Sequence, residues 1–167
     1  MGAGAEVYIG LGSNLADPRR QVLRGIKQLA GLKGYTPLAS SSLYQTAPVG
    51  KTDQPAFINA VASGRYSAGP RELLAGLQEI EKLAGRVRLQ KWGPRTLDLD
   101  ILVFGDLVLE EAGLSLPHPH MWQRAFVLIP LAEVAPGLVI PRWDMTAAQL
   151  LQRMEPDMLA KQKVVKV

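Results

Sequence analysis

No cysteine occurs in the 167 residues, which excludes disulfides, thiolate metal sites and cysteine nucleophiles and is compatible with a reducing compartment. Histidine is almost as scarce. His118 and His120 are the two in the chain, so a three-histidine metal centre is excluded as well. Long apolar runs are also missing: the most apolar stretch, Ala125 to Ile140, is broken by Pro130, Glu133, Pro136 and Gly137 and falls short of the roughly 18 uninterrupted apolar residues of a membrane span. The opening Met1 to Glu6 has neither the basic nor the apolar region of a secretory signal. These absences predict a cytoplasmic protein that engages no membrane.

What remains is ordinary globular material, 47% apolar and 20% charged, in an amount that fits about one domain. We expect a single domain over residues 1–167, with a core at about 6–135 and a C-terminal extension at about 146–167. Lysine and arginine number 19 against 15 acidic residues, a formal charge of +4, which favours an anionic partner without naming it.

The chain alternates strand and helix signals. Val7 to Leu11 is a short apolar run ended by Gly10-Leu-Gly12-Ser-Asn14, the usual punctuation after a strand. Asp17 then reads as an N-cap with Pro18 at the first helical position, and Val22, Ile26 and Leu29 recur at helical spacing. Leu38 to Thr46 reads as a second strand and Phe57 to Tyr66 as a third, with Ile58, Ala60 and Ala62 on one face and Phe57, Asn59 and Val61 on the other. Pro70 opens a second helix, striped by Leu73, Leu77, Ile80 and Ala84 and closed by Gly85. Thr96 to Phe104 alternates like a fourth strand. The order β, α, β, β, α, β is the α+β, ferredoxin-like pattern, an antiparallel sheet with both helices on one face. Beyond it we expect a short strand at Leu107 to Leu109, a helix over Met121 to Val134 interrupted near Pro130, a C-terminal helix over Thr146 to Met154, and a solvated tail carrying Lys161, Lys163 and Lys166.

Chemistry concentrates in Trp92-Gly-Pro-Arg-Thr-Leu-Asp98-Leu-Asp100-Ile-Leu-Val-Phe104. Residues two apart share a strand face, so Leu97, Leu99, Ile101 and Val103 should pack toward the helices while Asp98 and Asp100 stand together on the open side. Their attachment points, about 6–7 Å apart, allow both carboxylates to converge on hard cations such as magnesium. Alone, two aspartates on an open sheet face more often serve solubility. The neighbourhood shifts the balance: Lys82, Arg86, Arg88, Lys91 and Arg95 precede them with no acidic residue between Lys82 and Leu97. Metal-gathering carboxylates beside phosphate-matching arginines are the two halves of a phosphoryl-transfer site. Gly85 and Gly93-Pro94 place the arginines on a loop able to close over a substrate. On the third strand Phe57 and Asn59 share the open face, an aromatic surface beside an amide that donates and accepts at once. That pair suits a flat heteroaromatic ring. Gly10 and Gly12 leave space on the same side of the first strand.

The motifs Tyr8-Ile-Gly-Leu-Gly-Ser-Asn14, Tyr44-Gln-Thr-Ala-Pro-Val-Gly50, Asp53-Gln-Pro-Ala-Phe-Ile-Asn59, Gly85-Arg-Val-Arg88, Trp92 to Ile101, Leu116-Pro-His-Pro-His-Met121 and Arg124-Ala-Phe-Val-Leu-Ile-Pro-Leu131 together resemble the hydroxymethyl-dihydropterin pyrophosphokinase family of the folate pathway. The resemblance implies transfer of pyrophosphate from the co-substrate ATP to 6-hydroxymethyl-7,8-dihydropterin with release of AMP. It implies that Asp98 and Asp100 hold two magnesium ions and that Arg86 and Arg95 act on the phosphates. By the same resemblance Thr46, Val49, Phe57, Asn59 and Phe126 line the pterin pocket, and Gln78, Glu81, Arg88, Trp92, Ile101, Ser115, His118 and Arg124 lie on the nucleotide side. The expected partners are these two small molecules, bound by a monomer, with no nucleic acid. The rival reading of the residues alone is an RNA-binding module in which Phe57 stacks a base and the arginines meet phosphates. It gives no use for two carboxylates on the binding face, and the aromatic-rich strand pattern of such modules is missing.

Overall fold

The computed structural model describes residues 4–48, 53–85 and 96–167. Val49, Arg86, Arg88, Trp92 and Arg95 therefore lie outside the described residues, as do the expectations for a closing basic loop.

The first half follows the expected order, as β1 (Ala5–Ser13), α1 (Pro18–Ala30), β2 (Tyr35–Ser40), β3 (Tyr44–Thr46), β4 (Phe57–Tyr66), α2 (Pro70–Leu83) and β5 (Asp98–Phe104). Strands run β5-β1-β4-β3-β8 across the sheet, with β2 also paired to β4; β8 (Val165–Lys166) comes from the far end of the chain. The pairings are antiparallel.

Both long helices lie on one face because their apolar stripes do. Asp17 accepts from the Arg20 N–H at 3.4 Å, a weak cap, whereas Val22 and Leu29 are fully buried at roughly 1.5–3 kcal/mol each. Packing, not capping, holds α1. It comes close to the sheet at Gly25, where a Cβ would lie 3.0 Å from the Leu11 side chain. Together α1, α2 and this face of the sheet enclose a core that includes Ile9, Leu11, Ile58, Ala60, Leu73, Leu77, Leu97 and Leu99.

The single second strand expected over Leu38 to Thr46 is two strands. Ser41 donates its N–H to the Val61 carbonyl, and its hydroxyl takes the Val61 N–H at 2.9 Å, so a side chain stands in for the ladder. The chain then leaves the sheet, and Glu133 accepts from both the N–H and the hydroxyl of Ser42.

The alternation read along β5 also needs correction. Tyr8 pairs with Val103 but Ile9 pairs with Ile101, leaving Leu102 as an extra residue, a β-bulge. Leu97, Leu99 and Ile101 face the helices as expected. After the bulge the parity reverses, and Val103 joins Leu102 on the opposite side.

That opposite side carries a second core. A 3-10 turn (Met121–Gln123) leads through Arg124 into α3 (Ala125–Val134), followed by α4 (Ala147–Arg153) and α5 (Pro156–Gln162). Val61, Leu102 and Val103 of the sheet pack there against Met121, Leu128, Leu131 and Leu150. The interruption expected near Pro130 falls instead at Arg124, which is extended at φ −115, ψ 91. Pro130 sits buried inside α3, where burial offsets the main-chain hydrogen bond that proline cannot make. The strand expected at Leu107 to Leu109 is displaced into a hairpin of β6 (Leu109–Glu111) and β7 (Leu114–Leu116), turning at Gly113 with φ +78. Nor is the end of the chain only a solvated tail. The three lysines are exposed, but Val165 and Lys166 pair with Gln45 and Tyr44, extending the sheet. Among the described residues no helix is long and apolar enough to cross a membrane.

Candidate active site

The helices α3 and α4 leave part of the second sheet face uncovered, over the ends of β5, β1 and β4. Register brings the chemistry there. Gly10 pairs with Asp100 and Gly12 with Asp98 on one side, while Gly12 pairs with Asn59 on the other. Thr46 pairs with Phe57. A single cleft is consequently lined by Gly10, Gly12, Thr46, Phe57, Asn59, Asp98, Asp100, Arg124 and Phe126, with Leu11, Ala47, Ala60, Leu102 and Val127.

The floor is the main chain of β1. A Cβ at Gly12 would stand 2.6 Å from Asn59 Oδ1, so glycine is what allows the amide to lie flat across the strand. Asn59 is 8% exposed and Thr46 2%, and Asn59 Nδ2 donates to Thr46 Oγ1 at 2.7 Å. This buried bond fixes which way the amide faces. The β4 side of the cleft thus offers an oriented amide in a lining that also includes Phe57 and Phe126; the β5 side offers two partly buried carboxylates. From the far wall the Arg124 guanidinium lies over the Phe126 ring at 5.7 Å from its centroid, within cation–π range. The loop after β1 is tied down by Asn14, 2% exposed, whose Nδ2 donates to Gln54 Oε1 at 2.8 Å and the Pro55 carbonyl at 3.0 Å.

Of the residues expected on the nucleotide side, Arg124 lines the cleft; the other described ones flank β5, the outermost strand of its sheet. Glu81 is 7% exposed and accepts the Leu99 N–H at 2.7 Å, so it braces the strand that carries the aspartates. Gln78 is exposed on α2. The Ile101 side chain is in the helix-side core, which leaves only its main chain to face a ligand at the strand edge. Ser115 lies on β7, half-buried, and the His118 N–H donates to the Leu102 carbonyl.

His118 is held neutral. Burial, reinforced by the Arg124 and His120 charges and opposed by Asp98, lowers its pKa from 6.5 to about 4. Its Nδ1 accepts the His120 N–H at 3.2 Å, which leaves the proton on Nε2 as a donor. Because the unfolded chain protonates this imidazole first, the stability it contributes is complete above about pH 6.5 and is lost as pH falls toward about 4. Melting temperatures of the wild type and His118→Gln, compared from pH 7 to pH 4.5, should show the wild type losing ground as pH falls. A constant difference would contradict the neutral imidazole.

Among the described residues no group of three or more His, Asp or Glu side chains gathers as a metal cage. Asp98 and Asp100 supply two hard oxygen donors, which suits magnesium, an ion that ordinarily keeps waters and phosphate oxygens for its other positions.

Sequence reasoning missed Leu11, Ala47, Ala60, Leu102 and Val127 as lining residues, and it gave no signal for Gln162. This residue lies in the lysine-bearing tail yet is 5% exposed and accepts the Ala47 N–H through its carbonyl at 2.9 Å.

Comparison with known proteins identifies the family and the fold. The model of the 7,8-dihydro-6-hydroxymethylpterin-pyrophosphokinase family matches residues 8–136. A 2-amino-4-hydroxy-6-hydroxymethyldihydropteridine pyrophosphokinase of Pseudomonas aeruginosa is 50% identical over 135 residues, 81% of this chain and 83% of its own. The protein of the same name from Haemophilus influenzae is 45% identical over 134 residues, 80% and 84% of the two chains. In fold the chain is similar to a crystal structure of wild-type Plasmodium falciparum HPPK-DHPS with pterin and p-hydroxybenzoate. The TM-score is 0.70 at 17% identity, covering 89% of this chain and 43% of that longer one. On the match over residues 8–136 and the identities to these relatives, the chain belongs to the 7,8-dihydro-6-hydroxymethylpterin-pyrophosphokinase family.

Proposed function

We propose that this pyrophosphokinase transfers the β,γ-pyrophosphoryl group of ATP to the hydroxymethyl oxygen of 6-hydroxymethyl-7,8-dihydropterin, releasing AMP. The observation that carries the reading is the sharing of one cleft by an oriented amide on β4, two aromatic rings and a carboxylate pair on β5, with the glycines of β1 between the amide and the carboxylates. A pterin ring between Phe57 and Phe126 would present its donor and acceptor edge to Asn59, with Thr46 behind the amide and Val49 completing the pocket. That placement points the hydroxymethyl group along the β1 floor toward Asp98 and Asp100.

The reaction forms a bond from the substrate oxygen to the β-phosphorus and breaks the bond from that phosphorus to the α,β-bridging oxygen, which leaves with AMP; the hydroxyl proton is released. Asp98 and Asp100 would hold two magnesium ions, which when bound offset the negative charge of the phosphates around the β-phosphoryl. The protein's own work is positioning and charge. Arg124 is held over Phe126 between the ring end and the phosphate end of the cleft, and the neutral His118 offers an Nε2 proton to a phosphate oxygen without competing for the metals. Arg86 and Arg95 are assigned to the phosphates as charge builds on the leaving group, with Gln78, Glu81, Arg88, Trp92, Ser115 and the Ile101 main chain on the nucleotide.

Incubation of the protein with ATP, magnesium and the hydroxymethyl-dihydropterin should yield AMP and the pterin diphosphate in equal amounts. Formation of ADP in place of AMP, or no nucleotide turnover, would overturn the proposal.

A further inference from the structure

The C-terminal segment, beyond the residues the family model matches (8–136), reaches both walls of the cleft through one residue, Gln162. Arg124 is the single extended residue between the 3-10 turn and α3 and serves as the N-cap of that helix, yet no side-chain cap bond is made there. Capping ordinarily needs a short oxygen-bearing side chain, which arginine lacks. Gln162 supplies the missing bonds from a distance of 36 residues along the chain. Its Oε1 accepts the Phe126 N–H at 3.3 Å, one of the helix-start donors without a partner inside the helix. Its Nε2 donates to the Gln123 carbonyl at 2.8 Å and to the Met158 carbonyl at 3.3 Å, beside the Met154 sulfur at 3.8 Å. One planar amide therefore grips the main chain on either side of Arg124. The Gln162 carbonyl meanwhile accepts the N–H of Ala47, next to Thr46 on the other wall.

We infer that Gln162 is a positioning residue for the ring-binding end of the cleft: by bridging the Gln123 carbonyl and the Phe126 N–H it sets the backbone from which Arg124 and Phe126 enter, and it fixes their spacing from Thr46. It touches no substrate. The inference rests on the proposed function only for the identity of the ring, since the bridging bonds are a property of the fold.

The test compares Gln162→Met, similar in length and volume but unable to donate, with Val22→Ala, a core change on the opposite sheet face that lowers stability without touching the cleft. Equilibrium binding of the hydroxymethyl-dihydropterin, in the presence of magnesium and a non-transferable ATP analogue, should weaken about tenfold in Gln162→Met, in line with the loss of a buried hydrogen-bonded bridge. Val22→Ala should bind within twofold of the wild type at a comparable melting temperature. Equal weakening in both variants, or wild-type affinity in Gln162→Met, overturns the positioning role; a wild type that binds no pterin overturns the proposed function instead. Should Gln162→Met not fold, amide hydrogen exchange in the wild type decides: the Phe126 N–H should be protected to the level of the central strand β4, and rapid exchange would sink the inference.

Discussion

Replacing Asp98 or Asp100 by asparagine is expected to lower the rate of AMP formation by about 10²- to 10³-fold, the loss typical when one preorganised group that stabilises transition-state charge is removed. Both carboxylates are only partly buried and face the cleft, not the core, and asparagine keeps their shape, so the melting temperature without magnesium should change little. With magnesium and an ATP analogue the wild type should be stabilised by ligand linkage, and each variant should lose most of that gain. Near-normal turnover in either variant would remove that aspartate from the metal site. The two substitutions should also be strongly non-additive, because groups that act as a unit fail together.

The second large effect is expected at the ring end. Asn59→Leu should reduce kcat/KM for the pterin by about 10²-fold or more, because a site built to pair a polar edge loses heavily when that pairing is removed. Thr46 Oγ1 would be left without the Nδ2 partner it has at 2.7 Å, adding some loss of stability. Gly12→Ala separates the two contributions. It keeps the amide but puts a methyl group only 2.6 Å from Asn59 Oδ1, and so should turn the amide away from the ring while leaving the helix-side core intact. Pterin affinity that survives both changes would place ring recognition elsewhere. The nucleotide affinity, measured with an ATP analogue, should be nearly unaffected in each.

The parts of this molecule that could be read ahead of its structure are those fixed by local pattern. Strand β4 and the helix stripes of α1 and α2 appear where periodicity puts them, and Asp98 and Asp100 share the face that a two-residue spacing demands. Thr46, Phe57, Asn59, Arg124 and Phe126 do meet at one cleft. What escaped depends on partners distant in sequence. The bulge at Leu102 is visible only against β1, and the break at Ser41 exists because Val61 and Glu133 compete for that segment. Strand β8 has the composition of a solvated tail and becomes a strand only because β3 offers an edge. Gln162 looks like any surface glutamine until α5 buries it against the start of α3. Ile101 was expected beside a nucleotide, and its side chain turns out to be core; strand parity alone does not distinguish a residue used for its side chain from one used for its peptide group.

The glycine floor of the cleft bears on inhibition. Gly10 and Gly12 lie on β1, which is paired on both sides, so a flat competitor resting there touches peptide groups, and point substitution does not alter peptide groups. To dislodge such a compound the chain would have to add a side chain at position 10 or 12, against Leu102 or Asn59, and the same side chain would stand in the way of the natural ring. Resistance through the floor should therefore be self-defeating, and escape variants should appear in the walls, where Phe57, Arg124 and Phe126 contribute exchangeable side chains.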